Sequence, residues 1–209
     1  MKDLIFAMKK TLIDRSEDIA AGLDAGLLAI TDSKVLEKFP IISIGVKTFN
    51  FISTYHQHVY TRNCLSLVQA LKSGDQKRTE KLWDKLTTDP DKIQDFVDTL
   101  LLIVVDSSKP IKAAVVGHLI VALSKDQITY LEYDALVHLV HDASITALAA
   151  LPTFFEGNEG KCYLSGIRRV AEEPLLLSLG VASRFGNSFR VSDLGKLLYR
   201  HGFCGTITE

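Results

Sequence analysis

Residues 89–106 read Asp-Pro-Asp-Lys-Ile-Gln-Asp-Phe-Val-Asp-Thr-Leu-Leu-Leu-Ile-Val-Val-Asp, and this stretch decides the fold. Asp89 followed by Pro90 is typical of a helix N-terminus, because a carboxylate caps free backbone N–H groups and proline suits the first helical position. Apolar residues then recur at helical spacing, and residues 102–105 make the last turns apolar all round. Such a helix lies buried at the centre of a domain. The stretch therefore predicts an all-α protein built around this helix.

Helical patterns flank the stretch on both sides and predict a helical bundle of about seven or eight helices. The last of the bundle is predicted as one long helix over residues 133–151 that Pro152 stops. The other predicted helices cover residues 2–14, 16–30, 40–72, 76–86 and 109–124.

The last fifty residues have a different pattern. A helix is predicted near residues 161–170, and residues 181–185 and 189–192 read as two short strands around a Gly186-Asn187-Ser188 turn. A final helix begins at Asp193. The sequence thus predicts a small C-terminal β-hairpin of winged-helix type. Residues 1–155 are expected to form the helical bundle, and residues 156–209 a winged-helix-like module packed on it.

Composition limits the classes of function. Of 209 residues, 47% are hydrophobic and 23% are charged, which is usual for a globular protein, and the net charge of −1 gives no general attraction to polyanions. Three cysteines far apart, Cys64, Cys162 and Cys204, form no disulfide framework or metal clip. No uncharged apolar run has the roughly 18–20 residues needed to span a bilayer. A cytoplasmic location, or one peripheral to the inner membrane, is expected.

The segment Pro40–Phe51 is apolar, contains a glycine and lies between helical patterns. We expect it to contact a protein partner, to self-associate, or to contact a membrane peripherally. In the membrane case its apolar side chains insert and the lysine stays at the headgroups. The predicted contact residues are Ile41, Ile42, Ile44, Lys47, Phe49 and Phe51.

The sequence feature that most resembles a catalytic centre is a candidate metal site. His138, His141 and Asp142 share a helix face, and an adjacent His-Asp pair is the centre of the metal site in HD-type phosphohydrolases. His118 could add a ligand. A metal phosphohydrolase therefore stays an alternative, although a lone His-Asp pair on a helix is more often a surface pair. We assign no metal, no cofactor and no catalytic residue.

A DNA-binding regulator is a further alternative. Residues 161–209 contain seven basic and four acidic residues, and the hairpin carries Arg184 and Arg190 as candidate nucleic-acid contacts. Specific DNA binding needs a dense basic face and a well-formed recognition helix, whereas the helix before this hairpin is short and rich in leucine. Nucleic acid is accordingly not the expected partner.

Several segments in a fixed order carry a resemblance. They are Gly22-Leu23-Asp24-Ala25, residues 35–44, the helix pair over residues 101–120, residues 128–136, and Asp193-Leu194-Gly195. Together they resemble an uncharacterised family of bacterial helical proteins, whose members show an Ile-Pro-Ile-Val-Gly type segment followed by a lysine like Lys47. The resemblance implies a helical fold with a C-terminal wing and no established activity. The central helices are also similar, in fold alone, to tellurite-resistance B-type domains.

The sequence predicts a non-enzymatic bacterial interaction or regulatory protein, in stress response or phage defence, with a protein partner or self-association and no inferred small-molecule substrate. The alternative is a membrane-active helical effector that uses Pro40–Phe51. The phosphohydrolase and the DNA-binding regulator remain as further alternatives.

Overall fold

The computed structural model describes residues 2–13, 54–166 and 170–208, and these are mostly helical. The helices are α1 (Lys2–Ile13), α2 (Thr54–Leu71), α3 (Gln76–Thr87), α4 (Pro90–Asp106), α5 (Ile111–Ser124), α6 (Tyr130–Asp142), α7 (Ile145–Gly157), α8 (Glu173–Ser178) and α9 (Asp193–Leu197), followed by a π-helical turn (Leu198–Gly202). The strands are β1 (Tyr163–Ser165), β2 (Ala182–Phe185) and β3 (Ser188–Val191). The predicted fold class, a mainly helical chain with a small C-terminal hairpin, is confirmed.

The chain divides into two compact units, Met1–Gly117 and His118–Glu209, with the boundary inside α5. A compact unit is not the same thing as a domain that folds alone. The predicted division at residues 155 and 156 therefore stays a prediction.

In the first unit, α4 is the central helix and contacts α1, α2 and α3. Its N-terminus forms as predicted, with the Asp89 side chain accepting hydrogen bonds from the backbone N–H groups of Asp91 and Lys92, each at 3.2 Å. The prediction that the last turns of α4 are buried on all sides is wrong in one respect. Leu102 is 42% exposed, although its neighbours Leu101 and Ile103 are buried. The helix contacts neighbours on most of its circumference and leaves a narrow strip to solvent.

Polar side chains of α2 satisfy the end of α4. Asn63 is fully buried, and its Nδ2 donates to the carbonyl oxygens of Val104 at 3.1 Å and Ser107 at 2.6 Å. Arg62 Nη2 donates to the Ser108 carbonyl at 2.9 Å. The last carbonyls of a helix lack partners within it. These two side chains therefore fix the connection between α4 and α5 against α2.

A glycine lets α5 approach α2 closely. A Cβ atom at Gly117 would lie 2.7 Å from Ala70 Cβ and 2.8 Å from the Leu67 carbonyl oxygen. Both distances are shorter than van der Waals contact, so any side chain here would push the helices apart. The absence of a side chain at residue 117 sets the spacing of this helix pair.

In the second unit, residues 133–151 were predicted to form one long helix. The structure has two helices there, α6 and α7, and the chain bends by 117° between them. The apolar period runs through both, but the backbone leaves helical geometry at Ala143 and Ser144 (ψ 137° and 150°), and the Ser144 hydroxyl caps α7 by accepting from Ala147 N–H at 3.1 Å. Periodicity alone cannot reveal such a break, because both helices bury their apolar residues.

Pro152 does not stop the helix as predicted, because α7 continues to Gly157. Proline removes one intrahelical hydrogen bond. The Thr153 hydroxyl donates to the Ala149 carbonyl at 3.0 Å in the same turn. Leu151, Phe154 and Phe155 are buried around the proline. Their burial offsets the lost bond and keeps the segment helical.

No single helix in the described ranges has both the length and the apolar composition needed to cross a membrane; α6 and α7 meet that test when taken together across their bend.

The start of α6 is a capping box. The Thr129 hydroxyl accepts from Glu132 N–H, and the Glu132 carboxylate accepts from the Thr129 backbone N–H at 2.7 Å and its hydroxyl at 2.8 Å. These hydrogen bonds hold the pKa of Glu132 below its ordinary value, and the bond from the Thr129 backbone N–H has the largest effect. A depressed carboxyl pKa stabilises the fold above the unfolded pKa, and that contribution is lost as the pH falls through the folded pKa.

We expect Thr129→Ala to lower the free energy of unfolding by about 1 kcal/mol at pH 7, because the N-cap side chain is lost. The part of this difference that comes from the bond between the Thr129 hydroxyl and the Glu132 carboxylate should shrink as the pH falls through the lowered pKa of Glu132, because the protonated carboxyl no longer offers a charged acceptor. Urea unfolding at pH 7 and pH 3.5 measures both values. A penalty that is equal at the two pH values would contradict the capping role of the Glu132 carboxylate.

The sheet of the second unit is antiparallel, with the strand order β1-β3-β2. The predicted hairpin is confirmed: Gly186 has φ 57° at the first turn position, as a two-residue type II′ turn requires. The prediction of a helix near residues 161–170 is wrong for the described residues 161–166, because residues 163–165 form β1 and pair with β3. Glycines with positive φ, Gly160 and Gly166, bracket β1 and end any helix there.

Aromatic side chains of α7 pack under the sheet. Phe154 meets Phe189 of β3 edge-on at 5.3 Å between ring centroids, and Phe155 stacks on Tyr199 at 4.0 Å. All four are buried. One face of the sheet is therefore core, and the opposite face is turned away from it.

Candidate interaction surface

Six side chains form the outer face of the sheet, the face opposite Phe189. Alternation along the strands and the strand register place them there, and all six are exposed. We call this set the outer face. It consists of Tyr163, Ser165, Ser183, Phe185, Ser188 and Arg190.

The outer face has two cross-strand rows. Arg190 stands at the centre of the first row, between Tyr163 on β1 and Ser183 on β2. The second row runs Ser165, Ser188, Phe185 in the same direction. The two aromatic rings therefore occupy diagonal corners, about 12 Å apart at ordinary strand spacings. Phe185 is 92% exposed and Tyr163 is 49% exposed.

The charge of the outer face is positive. Arg190 is the one charged residue among its six positions, and it makes no ion pair with a described residue. The carboxylate of Asp193 accepts a hydrogen bond from Lys196 Nζ at 2.7 Å, which lowers the pKa of Asp193, and the charge of Arg190 adds a smaller lowering. The charges of Arg190 and Asp193 interact, but the two side chains form no ion pair, so the guanidinium keeps its donors for an external acceptor.

The second predicted arginine lies on the other side of the sheet. Arg184 pairs with Phe189 in register, and its guanidinium lies 5.7 Å from the centre of that ring. Its Nε donates to Glu173 Oε1 and its Nη2 donates to Glu173 Oε2 at 2.7 Å, and these bonds raise the pKa of Arg184. Arg184 and Arg190 are therefore not on one surface, and Arg184 joins β2 to α8.

The residues predicted for a metal site each have a partner of their own. His118 Nδ1 donates to the Gly202 carbonyl at 3.0 Å, His138 Nε2 lies 3.5 Å from Asp134 Oδ1, and His141 Nδ1 lies 2.8 Å from Asp142 Oδ1. Across the described ranges, no group of three or more His, Cys, Asp or Glu side chains could hold a metal ion.

A nucleophilic role for Cys64 does not fit its surroundings. The residue is fully buried in α2, and burial raises the pKa of its thiol to about 12. The thiolate is the reactive form. At neutral pH the side chain is a small apolar core group that bonds to Tyr60.

The six residues of the predicted contact segment, Ile41, Ile42, Ile44, Lys47, Phe49 and Phe51, lie outside the described residues. Their contact with a partner or a membrane stays a prediction. Sequence reasoning did not single out Phe185 or Tyr163. The alternation Ser183-Arg184-Phe185 could have shown that Phe185 lies on the sheet face opposite Arg184. Tyr163 was predicted to lie on a helix, so no strand register placed it on a face of the sheet.

Comparison of the chain with protein-family models, with curated proteins and with solved structures gave no match. The resemblance to a family of bacterial helical proteins stays a prediction.

Proposed function

We propose that this chain is a non-enzymatic interaction protein, and that the outer face binds a segment of a different protein. The observation that carries the proposal is the exposure of Tyr163 and Phe185 on either side of Arg190, which makes no ion pair with any residue that the structure describes. A phenylalanine that is 92% exposed adds little to folding stability, because its apolar area stays in water.

The composition of the outer face is that of a binding centre. Tyrosine, phenylalanine and arginine are enriched in the cores of protein interfaces, and tyrosine and arginine are frequent binding hot spots. The remaining three positions are serines, which are normal for a solvated strand face. The aromatic residues are thus the exception on a polar surface.

The geometry favours a protein over duplex DNA. DNA-binding modules of the helix-turn-helix type, to which winged helices belong, place a recognition helix in the major groove. Here α8 has six residues and begins beside Glu172, whose carboxylate opposes phosphate. Arg184, one of two predicted contacts, is occupied by Glu173. A single free arginine remains on the hairpin strands.

The geometry also favours a different protein over a second copy of this chain. A symmetric pairing of two outer faces is isologous and brings the Arg190 of each copy into one interface, with no carboxylate among the six positions of either face to neutralise them. Two guanidinium groups facing each other in a desolvated contact repel. The favoured occupant carries negative charge instead.

Display of a random peptide library tests the proposal. The wild-type chain is compared with a Tyr163→Ser, Phe185→Ser, Arg190→Ser variant, and with Leu131→Ser as the control. Leu131 is 78% exposed on α6, so the control removes an exposed apolar side chain elsewhere. We expect enriched peptides that bind wild type and the control but not the triple variant. Peptides that also bind the triple variant, or no enrichment at all, would overturn the proposal.

A further inference from the structure

We infer, on the basis of the proposed function, that the bound segment is an extended strand of the pattern Φ-x-(Asp/Glu)-x-Φ, where Φ is apolar. Its two apolar side chains contact Tyr163 and Phe185, and its central carboxylate binds Arg190 and Ser188.

The spacing follows from the register. Tyr163 and Phe185 are two strands and one row apart, so their Cα atoms are separated by about 12 Å. An extended chain advances about 3.3 Å per residue, and positions i, i+2 and i+4 point to one side. Residues i and i+4 are therefore about 13 Å apart, which matches the diagonal between the two rings.

The central position follows from the same diagonal. Its midpoint lies over β3, between Arg190 and Ser188, which are neighbours on the outer face of that strand. A carboxylate there accepts a charge-assisted hydrogen bond from the guanidinium and a second bond from the serine hydroxyl. A lysine at this position of the partner would face Arg190 with like charge.

Arg190 has no competing acceptor on the outer face. The other five positions carry hydroxyl or aromatic side chains, and the Asp193 carboxylate, which lies outside this face and accepts from Lys196 Nζ, forms no ion pair with Arg190. A peptide carboxylate fits this single cation better than a polynucleotide, which brings one phosphate per nucleotide. Single-stranded nucleic acid stacked on the two rings is the competing occupant.

Three fluorescent peptides test the inference. They share the sequence Leu-Ser-X-Ser-Leu between Gly-Ser spacers, with X as Glu, Gln or Lys, and a labelled oligothymidine serves as the nucleic-acid probe. Anisotropy titrations use the wild type, Arg190→Gln, Arg190→Glu, the double variant Tyr163→Ser, Phe185→Ser, and the Leu131→Ser control. The charge difference between the Gln and Glu variants separates loss of the bond from repulsion.

We expect affinity in the order Glu, Gln, Lys for wild type and for the control, with about a tenfold span from Glu to Lys at low salt. Arg190→Gln should remove the preference and Arg190→Glu should reverse it. Equal binding of all three peptides, dependent on Tyr163 and Phe185, would overturn the acidic pattern and leave the proposed function standing. Face-dependent binding of oligothymidine without peptide binding would overturn both. The absence of any binding, together with a display selection that enriches nothing, would likewise overturn both.

Discussion

Replacing Asn63 with aspartate lowers the free energy of unfolding by about 3–5 kcal/mol at pH 7. The side-chain amide is fully buried and donates to the carbonyls of Val104 and Ser107. A carboxylate of the same shape has no donor to offer and places negative charge against two carbonyl oxygens. Trp83 is buried in the same unit, so urea unfolding followed by tryptophan fluorescence reports the change.

The matched control for this prediction is Gln69→Glu, the same exchange of amide for carboxylate at an exposed position of α2. It should cost about 0.5 kcal/mol or less, since an exposed acid near a helix C-terminus is only mildly unfavourable. The Asn63→Asp penalty should also shrink in acid, because a buried carboxyl has a raised pKa and its protonated form can donate one bond. A penalty equal to that of the control would contradict the described role of Asn63.

Replacing Phe189 with alanine lowers the free energy of unfolding by about 3–5 kcal/mol. The ring is fully buried, meets Phe154 edge-on and lies beneath the Arg184 guanidinium. Its loss leaves a cavity between α7 and the sheet. Hydrogen exchange of the β2 and β3 amides, followed by mass spectrometry, measures the expected loss of protection.

Phe185→Ala is the control on the same hairpin. The two phenylalanines are four residues apart on opposite faces of the sheet, and Phe185 is 92% exposed. We expect this change to alter stability by no more than about 0.5 kcal/mol. Comparable losses at both positions would mean that Phe185 is part of the core. The outer face would then lack one of the two exposed aromatic side chains that are proposed to bind a partner.

Much of the helical fold could be predicted because its signals are local. The cap at Asp89, the proline at position 90 and the regular apolar positions of α4 give its start and its buried face directly. The hairpin was also predictable from two short strand patterns around a turn that begins with glycine, although Ser188, predicted in the turn, is the first residue of β3.

The predictions from sequence were wrong where contacts between residues far apart in the chain determine the local structure. Strand β1 forms through pairing with residues some 25 positions later in the chain, which no local pattern shows. The break at Ala143 and Ser144 interrupts a continuous apolar period, and the burial of α7 keeps Pro152 inside a helix. In each case tertiary packing outweighs local propensity.

The candidate site was missed in part for the same reason. Arg184 and Arg190 look equivalent in the sequence because both lie on predicted strands of one hairpin. Register places them on opposite faces, and Glu173 of helix α8, nine residues before the first hairpin strand, then binds Arg184. Without β1 there was no third strand to bring Tyr163 beside Arg190.

The most direct test of the central claim, that the outer face binds a protein segment, is an NMR titration of the labelled chain with a selected peptide. We predict that the largest amide shift changes fall on Tyr163, Ser183, Phe185, Ser188 and Arg190, and that Phe185→Ala removes them while the hairpin stays folded. Shift changes confined to other parts of the chain, with these five residues unaffected, would contradict the claim.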